Sequence, residues 1–291
     1  MASPRRKWCA RSLLYYSVRL WQILFKSGSG KTTLLSLILG DHPQSYIQKH
    51  LLLPSPSATA TYYHSSQFTL NHRKRIPTPH LRKTIGVVSP ELFDAFPRRH
   101  PGMTVRQAIE TGFDGVFVPL FGDSHPALGE EEEESSRQWQ KARVQEMLEN
   151  LGPPAWSSPK NGSHHQVLQE FASKRFTDLS TGEQRIVLLM RALVGQPPVV
   201  LLDEVWSGMT GGMVKAARQY LRGRLGHEQV VVVITHWEDE VPWSVAEGLK
   251  RFRLQGGKGQ VVVWKTGFGF REGLDFERVL SLELSWRACH R

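Results

Sequence analysis

Groups that bind phosphate are concentrated in one short run near the N-terminus, Ser27-Gly28-Ser29-Gly30-Lys31-Thr32-Thr33. Glycine allows the backbone to turn so that successive N–H groups point at phosphate oxygens. The apolar residues from Leu34 predict a helix whose positive N-terminal end faces the same anion. In such a loop Lys31 contacts the β- and γ-phosphates, and the hydroxyl of Thr32 binds Mg²⁺. The run therefore predicts a site for a nucleotide such as ATP.

The loop departs at one position from the usual pattern G-x-x-x-x-G-K-[ST]. Phe25 stands where the first glycine belongs, five residues before Gly30. The preceding residues Leu20-Trp21-Gln22-Ile23-Leu24 predict a buried strand, so the expected order of strand, loop and helix is kept. A flexible linker before a hydrophobic helix is the alternative. We interpret Phe25 as the trace of a replaced N-terminus that has lowered nucleotide affinity.

A second group of candidate residues ends an apolar strand, Pro198-Val199-Val200-Leu201-Leu202-Asp203-Glu204. Two carboxylates at this position have the form of a Walker B segment. Asp203 would hold the Mg²⁺ shell, and Glu204 would orient or deprotonate an attacking water. The alternative is a solvated carboxylate pair, but the strand is too apolar for the edge of a sheet.

A third run, Leu179-Ser180-Thr181-Gly182-Glu183-Gln184-Arg185, precedes that strand by one predicted helix. It resembles the LSGGQ signature of ABC ATPases, with the serine, the second glycine and the glutamine kept. An N-capped helix without a ligand is the alternative. The resemblance implies that Ser180 and Gly182 contact the γ-phosphate of a nucleotide held by a second protomer.

His236 follows the apolar run Val230 to Ile234, at the position of the family's switch histidine. The resemblance implies that His236 contacts the γ-phosphate and keeps the water in line with Glu204. It covers roughly residues 21–264 and is strongest to the soluble ModF-type ATPases and their mitochondrial relatives. Segments after the phosphate loop, 40–46, 85–91 and 104–106, carry that finer likeness.

Three departures from the family pattern accompany these motifs. The Q-loop glutamine is replaced around Pro90 and Glu91, and the D-loop ends in Thr210 where aspartate is usual. The aromatic residue that stacks on adenine normally precedes the first strand. Its candidates here are Trp8, Tyr15 and Tyr16.

Alternating strands and helices predict an α/β fold with a parallel sheet. The resemblance implies a P-loop NTPase of the ABC type, with a RecA-like core, a helical subdomain and a truncated N-terminal β-subdomain. Boundaries are predicted for a basic segment 1–18, an ATPase domain 19–266, a helical subdomain of about 93–177, disordered insertions near 122–136 and 152–166, and a tail 267–291. Short strands are expected in 41–80, and a buried strand over Leu81–Ser89. Strands at 199–202 and 230–235 flank a helix over 214–225, and 250–254 and 260–264 form a hairpin.

Composition narrows the function classes. The 291 residues carry a formal net charge of +10, and no apolar run approaches the roughly 20 residues that span a bilayer. Basic residues without interleaved aromatic platforms give no strong nucleic-acid signal. The first forty residues contain no Asp or Glu, which is typical of a mitochondrial transit peptide. An accidental basic start, with a cytoplasmic location, is the alternative.

The sequence thus predicts Mg²⁺-dependent hydrolysis of ATP by an enzyme that acts as a dimer or with a related domain. Two alternatives remain open. One is a nucleotide-binding regulatory module with weak hydrolysis, which Phe25, the altered Q-loop and Thr210 suggest. The other is the ATP-binding subunit of a membrane transporter, which would need a membrane partner.

Overall fold

The computed structural model describes residues 20–25, 30–48, 51–56, 68–99, 101–119, 130–157, 163–225, 229–244, 247–255 and 258–262. Several predicted features lie outside these residues: the segment 1–18 with its three aromatic candidates, the loop residues Ser27, Gly28 and Ser29, and the tail 267–291. No helix in the described part of the chain is long and apolar enough to cross a membrane.

The described ranges contain eight strands, which are arranged in two sheets. They are β1 Leu20–Phe25, β2 Leu53–Pro56, β3 Phe68–Asn71, β4 Ile85–Val88, β5 Val199–Asp203, β6 Val230–Thr235, β7 Lys250–Gln255 and β8 Lys258–Val262. The large sheet has the order β4-β5-β6-β1-β7-β8, with β8 antiparallel and the other strands parallel. The predicted core strands and terminal hairpin are confirmed. The antiparallel part of the β-subdomain is the pair β2 and β3.

Nine helices accompany the sheets in the described residues. They are α1 Lys31–Ile38, α2 Thr78–Thr84, α3 Pro90–Arg99, α4 Val105–Asp114, α5 Glu130–Leu151, α6 Pro153–Trp156, α7 His164–Ser173, α8 Thr181–Val194 and α9 Gly211–Gly223. Helices α3 to α7 fall between β4 and α8, in the region expected to form the helical subdomain. The predicted helix over 214–225 corresponds to α9.

The large sheet is buried on both faces. Successive strand side chains point to opposite faces, so Val200 and Leu202 enter one hydrophobic core and Leu201 enters the other. The larger core contains residues of α4, α5 and α8, and the smaller core contains Phe25 and Leu35. Burial on both faces explains why β5 and β6 are almost wholly apolar.

The strand predicted over Leu81–Ser89 is shorter than expected. Its first four residues belong to α2, and only Ile85–Val88 are extended. Pro79 lies in the first turn of α2, where its fixed φ suits a helix and its missing N–H is not needed. Leu81 and Thr84 are buried, so their packing against the rest of the protein keeps residues 81–84 in the helix.

The two insertions predicted as disordered contain helices. Residues 130–136 lie in α5, whose later turns bury Val144, Met147 and Leu148. Within 152–166, α6 is fixed by a hydrogen bond from Trp156 Nε1 to the carbonyl of Leu151 (2.8 Å), and α7 begins after the N-cap Ser163. Residues 122–129 and 158–162 of these two segments lie outside the described residues, so the disordered insertions stay a prediction.

Candidate active site

The candidate site lies where three adjacent parallel strands end. Lys31 begins α1 after β1, Asp203 ends β5, and His236 follows β6. Because β5, β6 and β1 are neighbours, their carboxyl ends meet at one edge of the sheet. Open α/β sheets bind ligands at this edge. The sequence separates these residues by up to about two hundred positions, and the sheet order brings them together.

Lys31 is paired with both carboxylates. Its Nζ lies 3.0 Å from Glu204 Oε1, 3.4 Å from Asp203 Oδ1 and 3.3 Å from Asp203 Oδ2. Burial alone would lower the pKa of Lys31, but the hydrogen bonds and charges of Glu204 and Asp203 outweigh it and raise the pKa above its usual value. The ammonium is therefore held by the same carboxylates that were predicted to act on metal and water.

Asp203 is a buried carboxylate that is paired with Lys31. Its side chain is 1% exposed, and burial raises its pKa to about 6 even though Lys31 opposes the shift. Oδ2 is buried and accepts no hydrogen bond within the described part of the chain. Its contact there is the ion pair with Lys31 Nζ at 3.3 Å, and a carboxylate oxygen of this kind is a hard donor that suits a cation such as Mg²⁺.

Glu204 is turned out of the strand by an unusual backbone. Its φ is +49°, in the left-handed region that side chains other than glycine seldom adopt, and its N–H donates to the Ile234 carbonyl at 3.1 Å. The hydrogen bond from Lys31 lowers the pKa of Glu204 below its usual value, and His236 adds to the effect. Such strain at a polar residue is typical of functional sites.

His236 and Phe25 complete the cluster. His236 Nε2 lies 3.5 Å from Glu204 Oε1, the oxygen that also receives Lys31. The ring of Phe25 is 4.3 Å from the His236 ring, centroid to centroid, and Lys31 Nζ lies 4.7 Å from the Phe25 centroid. The sequence had placed Lys31, Asp203, Glu204 and His236 in one site, whereas Phe25 was interpreted only as a defect.

Sequence reasoning also missed Gln22. This residue is fully buried, and its Nε2 donates to the carbonyls of Trp237 (3.0 Å) and Glu238 (3.1 Å). Arg251 Nε in turn donates to Gln22 Oε1 at 2.8 Å. These bonds fix the turn that begins at His236. The available signal was a single amide in an otherwise apolar strand, which indicates a buried polar contact but not its partner.

The N-terminus of α1 is open to an anion. Gly30 is its N-cap with φ +96°, and among the described residues nothing lies within 4 Å of a Cβ built at Gly30 and no side chain caps the helix. The first turn contains no acidic residue, and Thr32 is exposed there beside the half-buried Thr33. The unpaired N–H groups of this turn therefore remain available to phosphate oxygens.

Ser180 and Gly182 lie apart from the Lys31 cluster, at the N-terminus of α8. Ser180 is the N-cap and forms a capping box with Glu183, whose backbone N–H donates to Ser180 Oγ at 3.4 Å. A Cβ at Gly182 would lie 2.7 Å from the Gly208 carbonyl, so this glycine permits close packing against the 207–210 loop.

The positions that depart from the family pattern have local roles. Glu91 is exposed in the first turn of α3, and its charge contributes to the raised pKa of Asp203. Thr210 is the N-cap of α9 and accepts from the Met213 N–H at 3.3 Å. Aspartate is also a preferred N-cap, so threonine keeps the structural part of that position.

Comparison with known families identifies the class of protein. A family profile described as ABC transporter matches residues 12–207, a range that contains the phosphate loop, the signature and both carboxylates. The chain therefore belongs to the ABC transporter family, and the resemblance inferred from residues 179–185 is confirmed. A solved ATP-binding subunit of an ABC transporter has the same fold (TM-score 0.51, 13% identity), covering 82% of this chain and 75% of that one.

Two curated relatives are more specific. An uncharacterized ABC transporter ATP-binding protein of Schizosaccharomyces pombe is 28% identical over 82% of this chain and 39% of its own length. The ABC transporter ATP-binding protein ModF of Escherichia coli is 27% identical over 84% of this chain and 41% of its own length. The chain thus spans about two fifths of the length of these relatives.

Proposed function

We propose that the chain hydrolyses ATP to ADP and phosphate in a Mg²⁺-dependent reaction, at a site that a second ABC protomer or a related domain completes. One observation carries the proposal: Lys31, Asp203, Glu204 and His236 converge at the carboxyl edge of the sheet, beside an uncapped helix N-terminus. Family membership supports the same reaction.

The phosphates of ATP would bind at the start of α1. Ser27, Gly28, Ser29 and Gly30 form the predicted cradle, and Thr33 lies in the first turn. Lys31 would move from the two carboxylates to the β- and γ-phosphates, which carry more negative charge. This exchange frees Glu204, so occupation of the site also exposes the group that acts on water.

Thr32 and Asp203 are the proposed metal ligands. The carboxylate Oδ2 of Asp203, which accepts no hydrogen bond from the described residues, and the hydroxyl of the exposed Thr32 are hard oxygen donors of the kind that Mg²⁺ prefers. When bound, Mg²⁺ would neutralise charge on the phosphate oxygens. Burial keeps Asp203 in place, so the carboxylate needs little reorganisation to receive the ion.

Glu204 is the proposed base and His236 the γ-phosphate contact. Glu204 accepts a proton from water, the water oxygen bonds to the γ-phosphorus, and the bond from that phosphorus to the β-γ bridging oxygen breaks. The products are ADP and inorganic phosphate. Ser180 and Gly182 would serve the nucleotide of the partner protomer, since in this chain they lie at a separate helix N-terminus.

Replacing the proposed base tests the function. Glu204→Gln is expected to lower kcat by about 100-fold or more while ATP still binds, because general-base catalysis typically contributes that much. Phosphate release and equilibrium ATP binding are measured on the same preparation. Glu149→Gln is the matched control, since Glu149 is an exposed carboxylate on α5 that bonds only within its helix. Unchanged turnover in Glu204→Gln would exclude Glu204 as the base.

A regulatory nucleotide-binding module is the second candidate. The pairing of Lys31 with Glu204 favours it, because a base held by an ammonium does not act until the lysine leaves. Tight ATP binding by the wild-type chain without phosphate release, at concentrations that form dimers, would favour this candidate over the hydrolase.

Two finer proposals concern the setting. ATP-binding proteins of transporters, including the spermidine/putrescine import protein PotA of Mesorhizobium japonicum, are among the relatives. Copurification with an integral membrane protein would support a transporter subunit, and a complex without one would count against it.

The basic composition of residues 1–18 supports a mitochondrial location, which a fusion of this segment to a fluorescent protein tests.

A further inference from the structure

Phe25 occupies a position from which it can act on the site. It is the last residue of β1, it is 8% exposed, and it belongs to the smaller hydrophobic core with Leu35 and Ile234. Its ring faces the polar cluster on the other side. Phe25 therefore lies between the core and the site. A glycine at this position would remove the ring that contacts both.

The contacts of Phe25 involve two of the groups that surround Glu204. Its ring lies 4.3 Å from the His236 ring at an interplanar angle of 53°, and Lys31 Nζ lies 4.7 Å from its centroid. An ammonium at this distance from an aromatic face is attracted to it, and tilted aromatic pairs are favourable. Both contacts orient side chains that meet at Glu204 Oε1.

His236 needs such a contact. Its side chain is 44% exposed, so solvent on one side leaves its ring orientation to a small number of neighbours. The backbone on both sides of His236 is fixed, because the Trp237 N–H donates to Thr235 Oγ1 at 3.2 Å and the Trp237 carbonyl accepts from Gln22 Nε2. The backbone contacts hold the turn, and the ring of Phe25 restricts the imidazole.

We propose that Phe25 is a positioning residue for hydrolysis, which orients the His236 imidazole beside Glu204. This inference rests on the proposed function and reverses the interpretation of Phe25 as a defect. Restoring the pattern glycine at position 25 is then expected to impair the site.

Kinetics of three variants test the role. Phe25→Leu and Phe25→Gly are expected to lower kcat about ten-fold, in line with the loss of the aromatic pair with His236, and to change KM for ATP less than kcat. Phe25→Tyr keeps the ring and is expected to keep kcat. Phe252→Leu is the matched control, because Phe252 packs against the same core cluster from β7. A Phe25→Gly protein with kcat or ATP affinity above wild type would overturn the proposal.

A second measurement is independent of turnover. The nuclear Overhauser signals between the His236 ring protons and the Glu204 side chain in nucleotide-free protein, assigned by their loss in His236→Gln, are expected to weaken in Phe25→Leu and to stay near their wild-type values in Phe25→Tyr. If wild-type protein releases no phosphate, the proposed hydrolysis fails, and these signals alone decide whether Phe25 orients His236. Unchanged His236 signals in Phe25→Leu would refute the proposal.

Discussion

Two buried charges in this molecule have opposite surroundings. Arg191 in α8 donates from Nε to Thr111 Oγ1 (2.9 Å) and from NH2 to the Val116 carbonyl (2.7 Å). Asp203 at the end of β5 is paired with the partly exposed Lys31, and its Oδ2 accepts no hydrogen bond from the described residues. Arg191 is held by neutral groups, whereas Asp203 is paired with an ammonium that the proposed nucleotide would displace.

The pKa values of the two groups reflect the same burial. Burial lowers the pKa of Arg191 to about 10 and raises that of Asp203 to about 6. Each shift favours the neutral form. The aromatic rings of Phe96 and Phe117, whose centroids lie 5.2 and 5.7 Å from the guanidinium carbon, also contact Arg191. Burial alone therefore does not distinguish a functional charge from a structural one. The two groups differ in their partners, which are neutral acceptors for Arg191 and an ammonium for Asp203.

Removing the fixed charge is expected to have the largest effect on stability. Arg191→Ala should lower the free energy of unfolding by about 3 kcal/mol, because it leaves a cavity and two unpaired acceptors between α4 and α8. Denaturant unfolding measures the change. Arg191→Met is the control that keeps most of the volume, so it should cost less. Equal stability of wild type and Arg191→Ala would show that Arg191 is not a structural charge.

Removing the exchangeable charge is expected to have the opposite sign. Asp203→Asn should raise the free energy of unfolding of nucleotide-free protein by about 2 kcal/mol at pH 7.5, because the native state no longer holds an ionised carboxylate in a buried site. The same variant should lose Mg²⁺-dependent hydrolysis. A destabilised Asp203→Asn protein would show that the ion pair between Lys31 and Asp203 stabilises the fold, which would contradict its proposed displacement by a ligand.

The pH dependence of this difference follows from the direction of the shift. Folded protein keeps the Asp203 proton up to about pH 6, whereas the unfolded chain releases it near its ordinary pKa. The contribution of Asp203 to stability is therefore lost as pH rises from about 4 through 6. The advantage of Asp203→Asn should disappear near pH 4, and denaturant unfolding at pH 4 and pH 7.5 tests it.

The two charges also show how far sequence reasoning reaches. Asp203 was predicted, because an apolar strand that ends in two carboxylates is a local pattern, and the parallel sheet follows from the short apolar strands. The pairings of Gln22 with residues 237–238 and of Phe25 with His236 have no local signal, since their partners are more than two hundred residues away. The start of α2 was missed because a short apolar run does not distinguish a helix from a strand.

The smallest expected effect comes from one acceptor of the fixed charge. Thr111 is 3% exposed, and its hydroxyl accepts from Arg191 and donates to the Ala108 carbonyl at 2.7 Å. Thr111→Val keeps the shape but leaves Arg191 Nε without this acceptor, which should lower the free energy of unfolding by about 1–2 kcal/mol. Thr111→Ser keeps the hydroxyl and is the control in the same denaturant series. If Thr111→Val is as stable as wild type, Arg191 does not depend on fixed acceptors, and the contrast with Asp203 fails.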